Sequence, residues 1–159
     1  MNHLARRLLA HVVLLTFAIP LAKADRVCLL NGPVDAAQSR YDLAIKAQRE
    51  LNISYFYVGG VEDVITMRGF AMLRETARRG VRVRLMIDAL FHRIPAPLRA
   101  HLIREGVEIR VFHPFDPLKP FRFNRRLHDK LFIADGNLLI AGGRNIDDSY
   151  FGLSRFRKE

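Results

Sequence analysis

The sequence predicts an α/β fold: a mixed, mostly parallel β-sheet flanked by helices. Three observations predict it. Helical and strand periodicities alternate along the chain, glycines at Gly80 and Gly106 punctuate the helix ends, and the connections between elements are short. A βαβαβ series of this kind buries a mostly parallel sheet between helices.

The elements follow in order. In "DAAQSRYDLAIKAQREL", Asp35 and Gln38 stand in capping-box spacing, and Tyr41, Ala44, Ile45 and Leu51 share one helical face. Residues Ile53 to Val58 are β-branched and aromatic and end at Gly59-Gly60, which predicts a strand. A second helix over Thr66 to Arg79 turns Met67, Phe70, Leu73 and Ala77 inward and stops at Gly80. "VRVRLMID" places Val81, Val83, Leu85 and Ile87 on one strand face. A third helix, Ala96 to Glu105, leads through Gly106 into a strand over Val107 to Phe112. Prolines 114, 117 and 120 then break regular structure in His113 to Arg126, where Phe115, Phe121 and Phe123 alternate with Lys119, Arg122, Arg125 and Arg126. Such a loop suits an anionic membrane surface, because rings enter the acyl boundary while cations hold phosphates. It also suits nucleic acid, or serves as a simple cover for the core.

Ahead of these elements, Arg6 and Arg7 precede an apolar run from Leu8 to Ile19, then Pro20 and Ala22-Lys23-Ala24. That order predicts a signal peptide over residues 1–24 and an exported chain, periplasmic or membrane-associated. Cleavage removes three basic and no acidic residues, leaving 23 basic against 16 acidic and a formal charge of +7. A positive surface favours an anionic partner without choosing between phospholipid and nucleic acid. Residues 25–159 show no internal repeat or linker and form one domain, and the single cysteine, Cys28, excludes an internal disulfide.

Chemistry concentrates in "LHDKLFIADGNLLIAGGRN", Leu127 to Asn145. A strand from Leu127 to Ala134 turns at Asp135-Gly136-Asn137 and returns as Leu138 to Ala141. Alternation puts His128 and Lys130 on one face, and a hairpin centred near Gly136 brings Asn145 back beside His128. Gly142 and Gly143 let an anion approach the backbone amides. An imidazole, an ammonium, a carboxamide and open amides are the parts of a phosphate site with a nucleophile in it. Asp135 lies seven strand residues from His128, about 23 Å, and reads as a turn-positioning residue. Asp147 and Asp148 stand closer, and Asp148 is the candidate orienter of the imidazole. No Cys/His cluster suggests zinc, so neither a metal nor a cofactor is expected.

The series His128-x-Lys130-x₄-Asp135-x₆-Gly142-Gly143-x-Asn145 resembles the HKD signature of the phospholipase D superfamily at every position. The continuation "GGRNIDDSYFG" is similar to the cardiolipin synthase type of bacterial phosphatidyltransferases. "RRGVRVRLMID" and "EGVEIRVFHP" resemble the strands before the motif, so the resemblance covers most of residues 25–159. It implies a metal-free, two-step exchange at a phosphodiester through a phosphohistidine. His128, Lys130 and Asp135 are then the catalytic signature, with His128 as nucleophile or acid; Lys130, Asn145 and Gly143 bind phosphate. The implied partners are anionic phospholipid at a membrane surface and a second HKD motif, because the family's site needs two and this chain has one. That motif comes from a homodimer partner or from a missing C-terminal half, and the end of the chain soon after Asn145 points to a half. The alternatives are an exported single-motif endonuclease acting as a homodimer on nucleic acid, and an inactive or incomplete copy of the domain.

Overall fold

A computed structural model describes residues 26–119 and 124–153. The predicted signal segment and the loop residues Pro120 to Phe123 lie outside the described residues. The elements run α1 (Pro33–Lys46), β1 (Glu50–Tyr55), α2 (Val64–Arg78), β2 (Arg82–Asp88), α3 (Ala96–Arg104), β3 (Val107–Phe112), β4 (Lys130–Ala134), β5 (Leu138–Ala141) and a 3₁₀ turn, Asp148–Phe151. One five-stranded sheet has the order β3-β2-β1-β4-β5. β1, β2 and β3 are parallel; β4 and β5 are antiparallel. Among the described residues the fold is α/β, with a mixed sheet flanked by three helices.

β1, β2 and β3 step across the sheet in a single direction, so right-handed crossovers put α2 and α3 on the same face. α1 packs against α2 and β4 and joins that layer. Among the described residues the helices therefore cover one face, where a layer on each side was expected. Leu51, Ile53, Tyr55, Val83, Leu85, Ile87 and Phe132 form the core beneath them. On the other face Arg82, Arg84 and Met86 meet solvent, with Arg84 paired to Glu50 and Arg82 to Glu108.

Several boundaries depart from the sequence reading. α1 starts with Pro33 behind the N-cap Gly32, where no side chain caps; Gln38 instead donates to Asp42, one turn on, at 2.7 Å. The helix turns inward Ala36, Arg40 and Ala44, leaving Tyr41 51% and Ile45 50% exposed. The expected face included Leu51, but Leu51 belongs to β1, so the period was fitted across a helix end. In α2, Thr66 and Thr76 are buried while Met67 is exposed; the Thr76 hydroxyl makes this possible by donating to Met72 O at 2.8 Å. β1 begins three residues early and ends at Tyr55, and Val58 keeps only isolated bridges to His92 and Ile146. β4 begins at Lys130 rather than Leu127, because the Leu127 amide is drawn to the Asp88 carboxylate at 2.9 Å.

Candidate active site at the carboxyl ends of the parallel strands

Ligands of open α/β sheets bind beyond the carboxyl ends of the parallel strands. Here that end holds Phe56, Asp88 and the start of β4, because β4 runs antiparallel to β1 and pairs Lys130 with Tyr55. His128 and Lys130 meet at one aromatic ring rather than along one strand face. The exposed imidazole lies 5.1 Å from the Phe56 ring, centre to centre. The Lys130 ammonium stands 5.3 Å over the same ring and donates to the His128 carbonyl at 2.9 Å. Lys130 is 8% exposed. Phe91 packs on Phe56 at 4.4 Å and completes an aromatic floor. A buried ammonium over a π face is held in one place, and the imidazole beside it is open to solvent.

The return strand is in the register the hairpin requires, with Leu131 opposite Ala141 and Ala134 opposite Leu138. Beyond it, Ile146 N–H donates to Tyr57 O at 3.2 Å and Gly59 N–H to Ile146 O at 2.7 Å, so the segment crosses to the end of β1. Asn145, 4% exposed, is fixed between two partners. Its Oδ1 accepts from the Tyr57 amide at 3.1 Å and its Nδ2 donates to the Tyr150 hydroxyl at 3.0 Å, leaving one Nδ2 hydrogen for a ligand. Gly142 and Gly143 are exposed, lie outside positive φ, and have no atom within 4 Å of where a Cβ would stand. Their lack of side chains leaves the backbone there open.

Asp135 sits at the far end of the hairpin. Its carboxylate accepts from the amides of Gln48 at 3.0 Å, Arg49 at 2.8 Å and Glu50 at 3.0 Å, ties the turn to the start of β1, and is held below the usual carboxylate range by those bonds. Asp148 is buried, and its Oδ1 accepts from the Ile65 amide at 2.8 Å, in the first turn of α2. This gives Asp148 a helix-capping position at the start of α2. Asp147 caps the 3₁₀ turn through the Ser149 amide at 2.9 Å.

Two features were not read from the sequence. Asp88, fully buried at the end of β2, accepts from Leu90 N at 2.9 Å, Arg126 Nη1 at 3.1 Å and Leu127 N at 2.9 Å, and so delivers the chain to His128. An acid closing the apolar run "VRVRLMID" was its only signal. The Phe56–Phe91 floor had none beyond strand propensity. His92, on the loop after β2, accepts from Ile94 N at 3.3 Å, and burial pushes its pKa down. Among the described residues no three acidic, histidine or cysteine side chains cluster to hold a metal ion.

A family model for the cardiolipin synthase PLD-like domain matches residues 42–155. Cardiolipin synthase C of Escherichia coli K12 is 37% identical over 135 residues, covering 77% of this chain and 28% of that protein. The cardiolipin synthase of Geobacillus kaustophilus is 30% identical over 142 residues, covering 86% of this chain and 27% of that protein. The chain thus spans little more than a quarter of these curated relatives. Among solved structures, NucT from Helicobacter pylori gives a TM-score of 0.55 at 16% identity, covering 75% of this chain and 72% of that one. Nuc from Salmonella typhimurium, a phospholipase D family member, gives 0.54 at 18% identity, covering 72% and 67%. At these identities the likeness is one of fold. The family model spans more than half of the chain and the Escherichia coli relative is 37% identical across 77% of it, and the chain belongs to the cardiolipin synthase-like PLD domains of the phospholipase D superfamily.

Proposed function

We propose that this domain supplies one half of a phosphatidyl-transfer or phospholipid-hydrolysing site, with His128 as the group that reacts at phosphorus. The observation that carries the reading is the pairing of an exposed imidazole with the buried Lys130 ammonium on the Phe56 ring. A ring nitrogen of His128 attacks the phosphodiester, a phosphorus–nitrogen bond forms, and the bond to the leaving alcohol breaks as a second imidazole gives that oxygen its proton. Water or an acceptor alcohol then displaces His128 and returns a proton to the second imidazole. Lys130 and the remaining Nδ2 hydrogen of Asn145 hold non-bridging oxygens, while Asp135 positions the hairpin. The second imidazole comes from another motif-bearing half or from a second copy. In the same reading residues 1–24 direct export, and the aromatic and basic loop faces anionic lipid.

The test is turnover of phosphatidylglycerol in mixed micelles beside single-stranded and duplex DNA, with and without chelator. His128→Ala should abolish lipid turnover, by about 10³-fold or more, and a labelled phospholipid should leave an acid-labile adduct on His128. Metal-independent DNA cleavage without lipid turnover would overturn the lipid reading. A label on another residue would overturn the nucleophile.

A further inference from the structure

α1 and α2 lie side by side on the sheet, and between them runs a cleft of about 690 Å³, in the range that holds small-molecule ligands. Its walls are apolar, with Ile53, Phe70, Phe132 and Phe151 among them. Arg40 also lines it and is only 7% exposed. Its Nε donates to the Tyr55 hydroxyl at 2.8 Å and its Nη1 to Ala36 O at 2.6 Å, and the guanidinium stands 5.6 Å over the Phe151 ring. These bonds use two of five N–H donors. No carboxylate pairs with Arg40 among the described residues. Burial pushes the Tyr55 phenol above its ordinary range, outweighing the pull of Arg40, so that partner is a neutral one. A buried charge without a counter-charge is costly unless something neutralises it.

Two further observations point the same way. Arg74 lines the cleft, and its buried Nε has no hydrogen-bond partner among the described residues. Against Arg40, Arg68 and Arg74 the lining sets one carboxylate, Glu75. Gly69 stands inside α2 on the cleft wall, and a Cβ there would meet nothing within 4 Å. Helix propensity disfavours glycine at such a position, and no packing among the described residues requires it; its effect is to keep the cleft wide.

We propose that this cleft binds a single-chain anionic amphiphile, its acidic group neutralising Arg40 and its hydrocarbon chain lying along the apolar wall. The lining includes neither His128 nor Lys130, so this is a holding site apart from the reacting phosphate. Binding is read without turnover, and the outcome is independent of whether the domain hydrolyses, transfers or does neither.

The probe is dodecyl phosphate, titrated calorimetrically into the purified chain below its micelle concentration, with dodecyltrimethylammonium and inorganic phosphate as comparators. Saturable binding of dodecyl phosphate, tighter than either comparator by about tenfold or more, is the expected result. Gly69→Phe should fill the cleft and weaken binding by about the same factor while its thermal melt stays cooperative. Arg40→Met should do likewise; if that variant does not fold, Arg74→Gln takes its place. His128→Ala should bind as wild type does. No saturable binding, equal binding of the cationic amphiphile, or affinity unchanged in Gly69→Phe would each overturn the proposal.

Discussion

Asp135 occupies a left-handed backbone position, φ 53°, and turns its carboxylate onto three consecutive amides. Those amides favour the charged form, so its pKa in the folded chain lies below the ordinary 3.8. The stabilisation is therefore complete above the ordinary value and is lost as pH falls through the lowered one. Asn tolerates the same backbone conformation, which makes Asp135→Asn a clean probe. Its stability deficit, followed by urea melts, should hold from neutral pH down to about pH 4 and shrink below that. A deficit that is unchanged at pH 2 would show that the charge plays no part. Phe56 invites a different test, since its ring touches both the imidazole and the ammonium. A cation over an aromatic face contributes roughly 0.5–1 kcal/mol, so Phe56→Leu should lower kcat several-fold and Phe56→Tyr should restore it. A leucine variant as active as wild type would remove the ring from the mechanism.

At the next scale, α2 is capped at its start by Asp148 and weakened inside by Gly69. Asp148 caps it from a distant turn, across 83 residues of sequence. Asp148→Ala leaves the Ile65 amide without that acceptor, which should cost about 1–3 kcal/mol in denaturant melts. Gly69→Ala adds a Cβ into open space and should stabilise by up to about 1 kcal/mol, a rise of a few degrees in Tm. Ile65 and Gly69 stand one turn apart on the helix, so the double variant measures the coupling between the two effects. The elements themselves were legible where the signal was local. β3 and β5 have the expected bounds, since an apolar run between turn signals is self-contained and Asp135-Gly136 fixes the hairpin. The inward face of α1 was not legible, because it carries Arg40, whose charge disguises a buried position. In the site, the offsets of His128, Lys130 and Asn145 were visible as a pattern. Their partners were not: Asp88 reaches Leu127 across 39 residues and Asn145 reaches Tyr57 across 88, and such pairings leave no periodicity to read.

For the molecule as a whole, the proposed reaction needs a nucleophile and a separate proton donor, and general acid assistance is worth about 10²–10⁴-fold. Specific activity should therefore fall on dilution unless a second motif-bearing half is covalently present, and mixing wild type with His128→Ala should give strongly impaired heterodimers. Full activity from a monomer, unchanged on dilution, would refute this. The two borders of the sheet differ in a way that bears on such measurements. The β3 border carries the exposed charges Glu108 and Arg110. The β5 border, Leu138–Ala141, carries none, and Leu139 is 60% exposed. Uncharged apolar edges template strand addition, while charged ones resist it. Unwanted association of the purified chain should thus run through β5, edge to edge, and a β5–β5 pair uses up both open edges and closes. Leu139→Lys should extend shelf life in solution and leave lipid turnover untouched, giving the sample in which pairing can be counted without clumping.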